Sequence, residues 1–329
     1  MSLFKTAQEL KQFFSTAQKN LDIESVRSYI DEAEQLYIKT YLGSALYASL
    51  TASYEAETMT NDEQILLKKI QPALANFVVY GALQAGGVFF SDLGAQETST
   101  GYSHPAKEQS LQRLIAFTAS RGDSNLNLLL DFLEANTTIY PTWQSSDYYI
   151  KSRQLLLHKS TDFVERYPMQ NSVLGYHILR PTIRLAEKKY IENTISEEFL
   201  ANLKAKQIAG TLNTEEAKAV DIAKDALVHY TMYEALPSLA LDIATNSLRA
   251  TVFTNPDKQA SQVDIKMMLM LKEQAQQNAS MYLTSLKKYL DKNADTFSIY
   301  QNSDKYIAPP TTRSYEQVDN SNSTIFFMK

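Results

Sequence analysis

The chain has 329 residues, 44% hydrophobic and 21% charged, with a net charge of −5. That is the composition of a soluble globular protein long enough for two domains. The absence of cysteine excludes disulfides, thiolate catalysis and cysteine-ligated metal centres, and the acidic balance argues against a dedicated DNA binder.

Nine glycines and nine prolines punctuate the whole chain, which favours helices over strands. The opening from Met1 to Phe14 has no apolar stretch followed by small residues, so no secretory signal is expected. No apolar run reaches the roughly 18 residues of a membrane span. A short helix is expected from Thr6 to Phe14. A second starts near Ile23 and continues past Ile38, with Val26, Ile30, Ala33 and Tyr37 on one face. A third follows Gly43, with Leu46, Tyr47 and Leu50 inward. A fourth opens on Thr60-Asn-Asp-Glu63, a capping box, and carries Leu66, Ile70, Leu74, Phe77 and Gly81 in an i, i+4 stripe. Its apolar character continues to Phe90, so the helix is expected to run that far and to lie centrally in a bundle. Ser91 to Pro105 reads as a polar loop. Beyond it, Arg121-Gly122-Asp123-Ser124 is expected to break the following helix in two.

The same elements then recur. At an offset of 153, Ala33-Glu34 falls on Ala186-Glu187, Tyr37-Ile38 on Tyr190-Ile191, and Tyr80, Ala82 and Leu83 on Tyr233, Ala235 and Leu236. From Leu21 to Leu83 about 18 of roughly 63 positions are identical to their counterparts. The short helix recurs near Lys159 to Tyr167. Pro181 falls near the start of the second copy's long-faced helix, where a first-turn proline is tolerated. The capping box recurs as Asn213-Thr-Glu-Glu216. After the loop the offset becomes 157, and Val263 to Lys292 reads as one helix. Each copy closes on a similar phrase, Ile139-Tyr140-Pro141-Thr142-Trp143 and Ile299-Tyr300-Gln301-Asn302. The expected architecture is all-α: helical-bundle repeats over residues 1–150 and 151–302, and an extended arm over 303–329 with an apolar tip.

No catalytic signature stands out. There is no phosphate-binding loop, dinucleotide fingerprint or nucleophile elbow. Asp225 and His229 lie one helical turn apart, but no third ligand is visible and their counterparts are Pro72 and Asn76. Glu197-Glu198 and Glu215-Glu216 sit in first helical turns, where they complement the dipole. Gly81 and Gly86-Gly87 read as sites of close helix approach. The sequence therefore assigns no catalytic residue, no cofactor and no metal. The twenty tyrosines and fourteen phenylalanines read first as helix-face core, with contact between subunits as the alternative. The interaction candidates are Tyr148 and Tyr149 at the junction, Tyr306, and Ile325, Phe326 and Phe327 in the arm.

Each copy carries Ala-Glu-x-x-Tyr-Ile (Ala33 to Ile38, Ala186 to Ile191), then Leu-Tyr-x-x-Leu or its echo (Leu46 to Leu50, Phe199 to Leu203), then an acidic-capped apolar helix. The first copy closes on Tyr-Pro-x-Trp (Tyr140 to Trp143), for which the second has no tryptophan. This pattern resembles the helical head–tail connector, or adaptor, proteins of tailed bacteriophages, above all the tandem versions of Bacteroides and crAss-like phages. The resemblance implies a structural virion protein rather than an enzyme. It implies a ring, typically a dodecamer, assembled in the host cytoplasm at the capsid vertex. The ring would dock below the portal protein, link it to other tail or ring proteins, and let DNA pass without specific binding. Two other readings stay open: a helical scaffold for protein partners outside a virion, and a hydrolase using carboxylates from distant helices.

Overall fold

The structure, a computed structural model, describes residues 2–13, 23–85, 88–91, 94–97, 108–167, 172–244 and 265–308. It is an all-α protein built from two copies of one helical unit. The first copy contains α1 (Ala7–Lys11), α2 (Arg27–Ala33), α3 (Thr40–Leu42), α4 (Ser44–Glu55), α5 (Asn61–Gln84) and α6 (Glu108–Ala135). α7 (Asp147–Arg153) leads into the second copy. There α8 (Ser160–Val164), α9 (Val173–Ala186), α10 (Asn193–Ile195), α11 (Glu197–Ala209), α12 (Thr214–Ala244), α13 (Ile265–Lys292) and α14 (Ser298–Gln301) follow.

The capping signals form as written. Thr60 accepts from the Glu63 amide at 3.3 Å, and the Glu63 carboxylate accepts from the Thr60 amide at 2.8 Å. Asn213 and Glu216 repeat the exchange at 2.7 and 3.1 Å. From those caps α5 and α12 run as the central helices, with Leu66, Ile70, Leu74 and Phe77 buried in one and Ala219, Ala223, Leu227 and Tyr230 in the other. Burying each large side chain contributes about 1.5–3 kcal/mol. Each copy has its own core, and the two interlock: Val173 and Leu174 of α9 belong to the first core, while Leu155, Leu156 and Leu157 belong to the second.

Between α2 and α3 the backbone widens into a π-helical stretch, Glu34–Lys39, and between α9 and α10 it does so again over Glu187–Glu192. Each stretch opens on a buried glutamate. Glu34 accepts from the Leu3 amide at 2.6 Å, from Ser2 at 3.0 Å and from the Tyr47 hydroxyl at 2.7 Å. Glu187 accepts from the Leu156 amide at 2.7 Å and pairs with Lys204. Leu3 and Leu156 are themselves counterparts, so each glutamate ties down the first segment of its own repeat. An ionised carboxylate this deep is tolerated only because donors surround it.

Four sequence expectations are corrected. α6 is a single helix of 28 residues through Arg121-Gly122-Asp123-Ser124. A Cβ at Gly122 would fall 2.8 Å from the Phe77 ring, so this glycine lets α6 press against α5, and packing outweighs its weak helix propensity. α5 ends at Gln84 rather than Phe90: Val88–Ser91 pairs antiparallel with Gly94–Glu97 in a small hairpin, β1 and β2. Val88, Phe89 and Phe90 are residues whose branched or aromatic side chains suit a strand. The expected polar loop therefore contains β2. Pro181 lies inside α9, eight residues past its start, because the helix begins at Val173, where Ser172 accepts from the Gly175 amide.

The end of the repeat also has a different register. Phe132 packs on Tyr140 as Tyr289 packs on Phe297, and Trp143 meets Tyr149 as Tyr300 meets Tyr306. The offset of 157 thus holds to Tyr306, and Tyr300 takes the place of Trp143 rather than of Tyr140. Residues 309–329 lie outside the described residues.

Candidate functional site

A concavity lies where the repeats meet. Gly43 stands between α3 and α4 at φ +82°, and a Cβ there would fall 2.6 Å from the Ser146 Cβ. The chain can pass so closely only because glycine has no side chain. Ser146 in turn caps α7 by accepting from the Tyr149 amide at 3.2 Å. Trp143, fully buried, donates its indole N–H to the Tyr41 carbonyl at 3.0 Å. These contacts fix Tyr148 against the second repeat. Its ring meets Tyr41 edge-on at 5.0 Å, and Arg180 of α9 lies over it at 5.7 Å. His177, one turn before Arg180, meets Tyr41 at 5.7 Å.

A buried carboxylate completes the joint. Asp123 of α6 accepts from the Leu174 amide at 3.0 Å, and Ser172 and Val173 donate to it as well. It satisfies amides at the start of α9 that have no partner within that helix. Burial pushes its carboxyl up to about 6, against the pull of those donors. Asn127, one turn on, accepts from the Ser160 hydroxyl at 3.0 Å. The Arg-Gly-Asp run is thus not a break: its glycine packs on α5 and its aspartate holds the second repeat.

Between these contacts opens a cleft of about 580 Å³, lined among others by Lys39, Ser44, Tyr148, Lys151, His177 and Arg180. α4 begins on its wall without a side-chain cap. Lys151 pairs with Asp147 at 2.8 Å. Burial, with Arg180 and Lys151 nearby, holds His177 below the usual histidine range. Three cationic side chains against one carboxylate make a wall suited to an acidic side chain or an acidic segment of a partner.

The buried carboxylates are engaged elsewhere. Glu34 and Glu187 hold backbone amides and are raised mainly by burial. Asp225 pairs with Arg166 at 3.1 Å, and His229 stacks on Tyr282 at 5.5 Å, so the sequence pair does not face a common ligand. Among the described residues no group of three or more His, Asp or Glu side chains could hold a metal. No described helix is long and apolar enough to cross a membrane.

Of the interaction candidates, Tyr148 is buried between the repeats, and Tyr149 is half-buried against Trp143 and Arg153. Tyr306 is half-buried on Tyr300. Ile325, Phe326 and Phe327 lie outside the described residues. Sequence reasoning missed Asp123, because the Arg-Gly-Asp run looked like a helix break. It also missed Glu34 and Glu187, although an identical acidic residue on an otherwise apolar face of both copies was a usable signal. A further surface was not anticipated: Leu114, Phe117 and Leu128 project from α6 with 45, 51 and 62% of their surface exposed. Spacings of three and eleven residues put them on one face over roughly 20 Å. Two of their second-copy counterparts are polar, Gln274 and Ser285, and α13 exposes Leu269, Met270 and Met281 instead, at positions not equivalent to the stripe.

Neither a curated protein nor a solved structure matches the chain. One family model, described as a family of unknown function (DUF6712), matches residues 38–153 and again residues 188–310. The two matches fall on the two copies seen in the fold, and the chain belongs to the DUF6712 family.

Proposed function

We propose that the protein is a non-enzymatic structural subunit that assembles into a ring, and that the ring is a head–tail connector of a tailed-phage particle. The observation that carries the assembly part is the stripe of Leu114, Phe117 and Leu128. Large apolar side chains aligned on one helix face mark a surface that another chain covers. The contact between the repeats adds support. α6 of one unit meets the start of α9 of the next, so unlike surfaces face each other. Contacts of that kind, repeated from copy to copy, generate rings when the rotation closes.

The phage part rests on the repeated Ala-Glu-x-x-Tyr-Ile phrase and the acidic-capped central helix that follows it. On this reading the cationic cleft receives acidic side chains of a neighbouring portal or tail protein. The net negative charge keeps the subunit from gripping DNA that passes through the ring. Cryo-microscopy of intact particles tests the proposal. It predicts density for both repeats in a symmetric ring directly below the portal. Particles that lack the protein, or carry it as isolated copies, would contradict it.

A further inference from the structure

The duplication supplies an internal control for every surface, and at one place the copies differ in a way that core packing does not require. In the first copy Tyr29, Leu36, Tyr37, Phe77, Tyr80 and Gly81 line an aromatic-walled trough of about 300 Å³, with Glu32 and Gln84 also on its wall. Its floor is the stacked pair Tyr37 and Phe77, 3.9 Å between centroids. The second copy keeps the same stack as Tyr190 and Tyr230 at 3.7 Å. There, however, the space above it is occupied. Glu234 stands at the position of Gly81 and Lys189 at that of Leu36. They form an ion pair at 2.7 Å, and the Tyr190 hydroxyl donates to the same carboxylate at 2.6 Å.

Gly81 is not needed for helix approach. A Cβ there would meet nothing nearer than the Tyr29 ring at 3.6 Å, an ordinary contact. Glycine inside α5 costs helix stability relative to alanine. Its effect is to leave the trough open, while Leu36 stands at the rim with 52% of its surface exposed.

The sequence contains an apolar segment without an assigned place. After the polar stretch that follows Ala308 come Ile325, Phe326, Phe327 and Met328 in succession, then Lys329. Some sixteen residues separate Ala308 from this run, a reach of up to roughly 50 Å. Phenylalanine rings favour edge and offset contacts of the kind tyrosine-lined walls offer. The repeat indicates which copy supplies the segment. The chain leaving the first repeat after Tyr149 runs straight into the next unit, giving Leu155 to Leu157 to its core. Ile307 and Ala308, which leave the second repeat after Tyr306, depart from the equivalent place, so in an assembly of copies the unit met there would be the first repeat of a neighbour.

We propose that the trough of Tyr29, Leu36, Tyr37, Tyr80 and Gly81 is the docking site for the Ile325-Phe326-Phe327 run of a neighbouring copy. This rests on the self-assembly part of the function proposed above. It is tested with the full chain carrying a photo-reactive phenylalanine at position 326, mixed as isotopically light and heavy copies, with particle mass followed by light scattering. The expected result is cross-links between light and heavy copies that map to residues 27–39 and 77–85. The double variant Leu36→Lys with Gly81→Glu fills the trough with the second copy's own ion pair. It should lower the cross-link yield at least tenfold at unchanged helicity and unfolding midpoint. Phe327→Ser should lower the yield as well. Cross-links confined to single chains, mapping elsewhere, or indifferent to the filled trough would overturn the docking site while an oligomer persisted. A sample that stays monomeric and uncross-linked would overturn the docking and the self-assembly reading together.

Discussion

At the scale of residues, two glycines of neighbouring helices have opposite meanings. A methyl group at Gly122 would meet the Phe77 ring at 2.8 Å, and that ring is pinned by its stack on Tyr37. Gly122→Ala should therefore destabilise the protein by about 1–3 kcal/mol, despite alanine's better helix propensity. Gly81→Ala, whose methyl group would make only an ordinary contact with Tyr29 at 3.6 Å, should stabilise by about 0.5–1 kcal/mol. Urea unfolding of both variants checks the pair, and equal signs would refute the assignment of Gly122 to close packing. Gly43 and Ser196 are counterparts that share one unusual backbone conformation, at φ +82° and +78°. Ser196 accepts that strain while capping the Phe199 amide at 3.3 Å. Gly43→Ala meets both the strain and the Ser146 Cβ, and should cost about 2–4 kcal/mol.

Asp123 links the same scale to pH. Its carboxyl sits at about 6 in the folded protein, above the unfolded value of 3.8, so the native state holds a proton that the unfolded chain has released. Its contribution is most favourable below about pH 4 and is lost as pH rises through about 6, by up to roughly 3 kcal/mol. Asp123→Asn keeps an acceptor for the Leu174 amide and removes the titration. Relative to wild type, the variant should gain stability between pH 4.5 and 7.5 by about 1–3 kcal/mol. A difference that does not change with pH would show that Asp123 does not titrate in this range.

At the scale of elements, the sequence was legible where local signals and tertiary packing agree. Thr60 to Glu63 and Asn213 to Glu216 announce α5 and α12 through chemistry internal to four residues, and both caps form. α13 was readable because its apolar period runs without interruption. Legibility failed where a distant partner decides. Gly122 and Asp123 look like a break unless Phe77 and α9 are known to press on them from other parts of the chain. Each π-helical stretch opens on a buried glutamate whose amide partner, Leu3 or Leu156, lies about thirty residues away, so that contact is not legible locally either. Of the cleft, Tyr148 was readable from its aromatic run at the junction, whereas Lys39, His177 and Arg180 come together only through the fold.

At the scale of the whole molecule, one unit used twice gives two cores joined by Asp123, Tyr148 and the start of α9. The copies diverge on their surfaces: the exposed stripe of α6 and the open trough belong to the first, the Lys189–Glu234 pair to the second. Those differences suit a subunit whose two ends meet different neighbours. Replacing Leu114, Phe117 and Leu128 by serine should leave the fold intact, since all three are largely exposed, while weakening assembly at least tenfold. The central proposal, that the chain is a ring-forming assembly subunit, is tested most directly by the solution mass of the protein mixed with the portal protein of the phage that encodes it, the partner proposed above. The account predicts a discrete closed oligomer bound to the portal, reduced by the serine variant. A monomer mass for the unmodified protein under the same conditions would contradict it.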